Sequence, residues 1–65
     1  MSKVISGEIA RLCGDDNALF GYNIHTDTNR VEYYVDSFIG GRRELNTFAD
    51  YATAAAYFDK LEKAR

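Results

Sequence analysis

The residues that could do chemistry in this chain are few, and their spacing argues against catalysis. One histidine, His25, and one cysteine, Cys13, are the only imidazole and thiol. A nucleophile needs a base within hydrogen-bond reach, inside a pocket that orients both. A Cys13–His25 dyad would have to be built by one hairpin of a very small domain, so no catalytic residue is assigned. Asp15, Asp16 and Asp27 supply carboxylates but lack the ligand count and loop spacing of a calcium site. Gly40-Gly41 runs into Arg42-Arg43 instead of opening a helix, which is not the arrangement of a phosphate loop. No metal or cofactor is expected, and the chain is read as a non-enzyme.

The size that weakens a catalytic reading also fixes the organisation. Sixty-five residues make one domain, 1–65, because a core this small hides only about 60% of the unfolded chain's surface and cannot be divided. With 46% hydrophobic and 28% charged residues, nine aromatics and no proline, the composition is that of a folded globular domain. A lone cysteine allows no internal disulfide, and neither a leader nor a long apolar run is seen, so the expected location is the cytoplasm, with no membrane partner.

Hydrophobic periodicity places the elements. Residues 3–12 are β-rich but alternate imperfectly, since Val4 and Ile5 are adjacent and Gly7 interrupts the run, which predicts a strand with a bulge near Gly7. After the Gly14-Asp15-Asp16-Asn17 turn, residues 18–26 alternate with Phe20, Tyr22 and Ile24 on one side. Residues 30–38 put Val31, Tyr33 and Val35 on one face and Glu32, Tyr34 and Asp36 on the other. Gly40-Gly41 predicts a hairpin into a fourth strand over 42–47, with Leu45 inward and Arg42, Glu44 and Asn46 outward. From Asp50, a suitable N-cap, the period becomes helical over about 50–64, with Tyr51, Ala54, Ala55, Phe58 and Leu61 on one stripe. The fold expected is α+β: an antiparallel meander of three to four strands with one C-terminal helix packed on one face.

Charge is distributed unevenly. The net charge is only −2, yet between Leu12 and Gly41 five acids (Asp15, Asp16, Asp27, Glu32, Asp36) face Arg30 alone, while lysine is absent from residues 4 to 59. Strand parity then predicts a bare sheet face carrying Glu8, Asn23, His25, Asp27, Glu32, Tyr34 and Asp36, offset by Arg42 and Arg11. The candidate partner-binding residues are Asp15, Asp16, Asp27, Glu32, Tyr34 and Asp36, with Tyr57 flanking. Such a face can serve solubility alone, because one side of a two-layer fold always meets water.

The tail "NTFADYATAAAYFD" resembles the end of three-stranded-sheet DNA readers, the AP2 domain and the arm-binding domain of phage integrases, with Ala54-Ala55 and Phe58-Asp59 in the helix that backs the sheet. That resemblance implies a sheet laid in the major groove, here through Arg11, Arg30, Arg42 and Arg43. The whole profile of a small, acidic single domain without an active site is also similar to phage-encoded anti-CRISPR proteins that inhibit type I effector complexes, type I-C among them. This second resemblance implies a protein in the host cytoplasm, a monomer or weak homodimer. It would dock on the effector's basic DNA-binding surface through an acidic, DNA-mimicking face, excluding target DNA without binding nucleic acid itself.

Overall fold

The computed structural model describes residues 3–63. It contains β1 (Val4–Leu12), β2 (Asn17–His25), β3 (Arg30–Ile39), β4 (Arg42–Phe48) and α1 (Tyr51–Lys63). The four strands form one antiparallel sheet in the order β1-β2-β3-β4, and α1 packs against β2, β3 and β4. This is the α+β meander and helix expected from the sequence, with strand ends within one residue or so. Residue 64, expected to be helical, lies outside the described residues, as does the basic Arg65.

Each connection has a local cause. Gly40 and Gly41 have φ of 63° and 78°, so both central residues of the two-residue β3–β4 turn occupy the left-handed region that glycine adopts without a steric penalty. Asn29, with φ of 59°, closes the β2–β3 turn, where its short polar side chain tolerates the same region. The open end of β1 is fastened by Thr26, whose backbone N–H and hydroxyl both donate to the Lys3 carbonyl at 3.0 and 2.9 Å. At the start of α1, Asp50 Oδ1 accepts the Thr53 N–H at 3.3 Å and satisfies one of the helix's orphan donors. Lys60 and Lys63 lie at the negative end of the helix, and Lys63 also meets Asp59 at 3.1 Å.

The helix covers rows of side chains that cross the sheet. Leu12, Ala18 and Ser37 make one row and Ala10, Phe20, Val35 and Asn46 the next, followed by Gly7, Tyr22, Tyr33 and Phe48. Onto these rows α1 lowers Ala54, fully buried, and Phe58, whose ring lies 5.5 Å from that of Phe20. The Ala54 methyl is small enough to let the helix axis approach the sheet closely, which brings the larger rings into contact. Tyr51 closes the near end of the core, 5.6 Å from Phe20 and edge-on to Tyr33 at 5.7 Å. Ser37, the buried polar residue, donates its hydroxyl to the Glu44 carbonyl at 3.4 Å.

Two placements, those of Leu45 and Tyr57, differ from expectation. Leu45 points away from the helix and is 61% exposed, whereas Arg42, Glu44 and Asn46 share the helix side. The cause is the tight turn: it pairs Ile39 with Arg42, and paired residues share a face, so parity counted from the turn sends Leu45 out. The bulge expected near Gly7 lies between Glu8 and Ala10, and it reverses the parity of the strand after it. Tyr57 is an internal brace, since it accepts a hydrogen bond from Asn46 Nδ2 at 3.1 Å and stacks near Phe48 at 5.5 Å.

Candidate functional site: the open sheet face

The molecule's extents are 39 × 21 × 15 Å, and the shortest is a sheet plus one helical layer, so the second face of the sheet is bare. Across that face run Val4, Ser6, Glu8 and Arg11 from β1, with Leu19, Gly21, Asn23 and His25 from β2. From β3 come Arg30, Glu32, Tyr34, Asp36 and Phe38, opposite Arg43, Leu45 and Thr47 of β4.

Charge on this face is balanced, which corrects the acidic face expected from sequence. Three carboxylates, Glu8, Glu32 and Asp36, stand with three guanidinium groups, Arg11, Arg30 and Arg43. Because the bulge reverses parity, Arg11 joins the side of Glu8 and pairs with it. Arg43 grips Asp36 with two parallel hydrogen bonds, Nε to Oδ1 at 3.1 Å and Nη2 to Oδ2 at 2.8 Å. That bidentate contact holds the Asp36 carboxyl below its ordinary range, against the opposing effect of partial burial, and holds the Arg43 guanidinium above its own. Hydrogen bonding and attraction from Glu8 likewise raise Arg11. Of the arginines proposed for reading DNA, Arg42 lies on the helix side and Arg11 and Arg43 are engaged by carboxylates, which leaves Arg30 with no ion pair among the described residues.

Aromatic and aliphatic side chains stand among these charges. Tyr34 lies flat across Gly21 of the neighbouring strand: a Cβ built on Gly21 would come within 2.5 Å of its hydroxyl oxygen and 2.6 Å of Cζ. The ring therefore uses one side to cover backbone that has no side chain of its own, and presents the other outward. Tyr22 does the same over Gly7 on the helix side. Beside Tyr34, a shallow depression of about 280 Å³ is lined by Asn23, Glu32, Tyr34, Asp36, Leu45 and Thr47. Exposed Phe38 and Leu45 extend the apolar surface toward the β3–β4 turn and the β4 edge. Ser6 donates to Asn23 Oδ1 at 2.6 Å on the far side, completing a polar margin.

Three of the six residues singled out from the sequence, Glu32, Tyr34 and Asp36, thus meet at one depression. The others lie elsewhere. Asp15 and Asp16 are in the β1–β2 loop, where Asp16 Oδ1 accepts the Gly40 N–H at 3.1 Å and ties that loop to the β3–β4 turn. Asp27 occupies the β2–β3 turn at the opposite end, roughly 30 Å away along nine-residue strands. Sequence reasoning missed Phe38 and Leu45 as parts of this face and brought Arg43 to it only through the resemblance to DNA readers. Counting parity outward from Gly40-Gly41 recovers the two β4 residues.

No protein-family model, curated protein or solved structure matches the chain. Among the described residues no group of three or more His, Cys, Asp or Glu is placed to hold a metal ion, and no helix is long and apolar enough to cross a membrane. Cys13 lies exposed just past the end of β1, and His25 faces the bare side of β2.

Proposed function

We propose that this protein is a binding domain without catalysis that docks on a protein partner through the bare face of its sheet. The observation that carries this reading is the arrangement of that face. Tyr34, Phe38 and Leu45 stand beside charges that are already paired: the Asp36–Arg43 pair runs between Phe38 and Leu45, and the Glu8–Arg11 pair lies across β2 from Tyr34. Protein interfaces have this anatomy: a core depleted of free charge, with aromatic anchors and a polar rim. Prepaired charges add a second advantage, because a carboxylate already held by arginine carries less net charge into the contact and repels fewer partners. The test is alanine substitution of Tyr34 and Phe38 in the purified protein against its captured partner. Each should weaken binding about tenfold or more if it anchors the contact; unchanged affinity in both would reject the face.

A second reading, an inhibitor that docks on the basic DNA-binding surface of a type I CRISPR-Cas effector, is favoured by the loops. Residues 13–16 and 26–29 carry Asp15, Asp16 and Asp27 and no base, so both ends of the sheet present negative charge to a lysine-lined channel. Glu32, with no ion-pair partner among the described residues, adds to it from the face. Mixing the protein with purified type I effector on a sizing column, with and without target duplex, tests this. Co-migration abolished by the duplex supports the inhibitor, and independent elution at low salt removes it. The same samples in a gel-shift assay address the DNA-reader alternative: with balanced charge on the face, no retardation of duplex DNA is expected.

A further inference from the structure

The sheet has two edges, and they are guarded very differently. β1 carries a bulge between Glu8 and Ala10, which disrupts the regular spacing a new strand would need. Its midpoint is Glu8, so pairing the whole strand with a second copy about a two-fold axis would set Glu8 against Glu8. β4 has no bulge and no proline, and its register with β3 is unbroken from Arg42 to Phe48. Its midpoint is Leu45, at 61% the most exposed of the large hydrophobic residues among those described.

The two-residue turn also fixes which backbone groups of β4 face outward. Residues flanking such a turn form a hydrogen-bonded pair, so Ile39–Arg42, Ser37–Glu44, Val35–Asn46 and Tyr33–Phe48 exchange bonds within the sheet. Arg43, Leu45 and Thr47 fall at the intervening positions, and their N–H and C=O groups point away from β3 toward the free edge. Their side chains all stand on the bare face.

From this geometry we infer that β4 is a homodimerisation edge, where a second copy of the chain adds its own β4 antiparallel about a two-fold axis through Leu45. In that register Leu45 meets Leu45, Arg43 meets Thr47, Glu44 meets Asn46 and Arg42 meets Phe48, so the full strand is used and no like charges are opposed. The alternative registers that keep side chains on matching faces lose this: a shift of one pair toward the turn sets Glu44 against Glu44, and the next sets Arg43 against Arg43. The three outward-facing residues of each strand give about six inter-chain backbone hydrogen bonds, with the Leu45 pair covering the most exposed aliphatic surface of the sheet. The two bare faces become one eight-stranded face. The inference stands on the edge alone and does not depend on what the bare face binds.

Sedimentation equilibrium from about 10 µM to 1 mM, with binding free energy following concentration in the usual way, should show a reversible monomer–dimer equilibrium. Leu45→Pro is the informative variant, because its lost N–H points to the free edge and the β3–β4 ladder keeps every bond. It should fold, by far-ultraviolet circular dichroism, and dimerise roughly tenfold to a hundredfold more weakly. If it does not fold, Leu45→Lys serves in its place, with the same expected weakening. In a Cys13→Ser background, Leu45→Cys should form a disulfide-linked dimer under mild oxidant, since hydrogen-bonded antiparallel pairs have Cα atoms about 5.5 Å apart, within disulfide reach. Val4→Cys, on the β1 edge, should not. A wild type that stays monomeric throughout, a Leu45 variant that associates as the wild type does, or equal crosslinking from Val4→Cys would overturn the proposal.

Discussion

Gly21→Ala is the substitution that most sharply tests the geometry of the open face. The added methyl would lie 2.5 Å from the Gly7 carbonyl oxygen and 2.5 Å from the Tyr34 hydroxyl, both far inside van der Waals contact. Tyr34 can swing outward, but the Gly7 carbonyl belongs to a neighbouring strand paired along its length and cannot withdraw without opening the β1–β2 ladder. Overpacking of this kind costs about 1–3 kcal/mol, more than the ~0.5–1 kcal/mol that alanine gains over glycine within a strand. Taking a net loss of about 1–2 kcal/mol, and about 4–8 °C per kcal/mol for a domain of this size, the melting temperature should fall by roughly 4–16 °C. Gly7→Ala is the matched control. The three atoms nearest its methyl all belong to the outer end of the Tyr22 side chain, from 2.3 Å, so the cost is that of turning one half-buried side chain, and stability should stay within about 1 kcal/mol of wild type. Thermal melts followed by circular dichroism read both. If Gly21→Ala melts at or above the wild-type temperature, the Gly7 carbonyl does not crowd Gly21 and the close approach of β1 and β2 beneath the open face is wrong.

Other consequences can be measured on the same preparations. Phe58→Ala removes the ring that α1 stacks on Phe20, and at about 3–5 kcal/mol it should leave a domain this small largely unfolded at 25 °C. Asp50→Ala deletes the cap on Thr53 and should cost about 1 kcal/mol, read as a lower denaturation midpoint with unchanged slope. Arg43→Met should return the Asp36 carboxyl upward toward its ordinary value in a proton-detected titration. Because the folded value is depressed, the pair's contribution to stability is present above the unfolded carboxylate value of about 3.9 and is lost as pH falls through the lower folded value. Wild type and Arg43→Met should therefore melt apart above about pH 4 and converge in stronger acid.

The meander, the helix and most of the core were legible in the sequence because β2 and β3 alternate strictly and α1 changes to a helical period. β4 was misread because "RRELNTF" has one aliphatic residue, and a lone leucine in a polar strand looks like the residue to bury. Turn chemistry overrules that preference: two consecutive glycines make a two-residue hairpin, and register then follows by counting. The consequence for the candidate site is large. It moves Arg43 onto the face beside Asp36 and takes Arg42 off it, turning an expected acidic array into a balanced one. The β1 bulge, legible from Gly7 interrupting the run, sets Arg11 beside Glu8 as expected, but their ion pair follows from a parity reversal between Glu8 and Ala10 that tertiary pairing fixes. The cover that Tyr34 provides for Gly21 is a cross-strand relation, visible only once the register is known.

The central claim, that partners approach the bare side of the sheet, is tested most directly by site-specific photocrosslinking. A photoreactive phenylalanine analogue would be placed at Phe38 on the open face or at Glu62 on the exposed side of α1, each in otherwise unchanged protein inside the producing cells. Position 38 should give a discrete adduct with one partner and position 62 none. Adducts formed from position 62 alone, or equally from both, would contradict it.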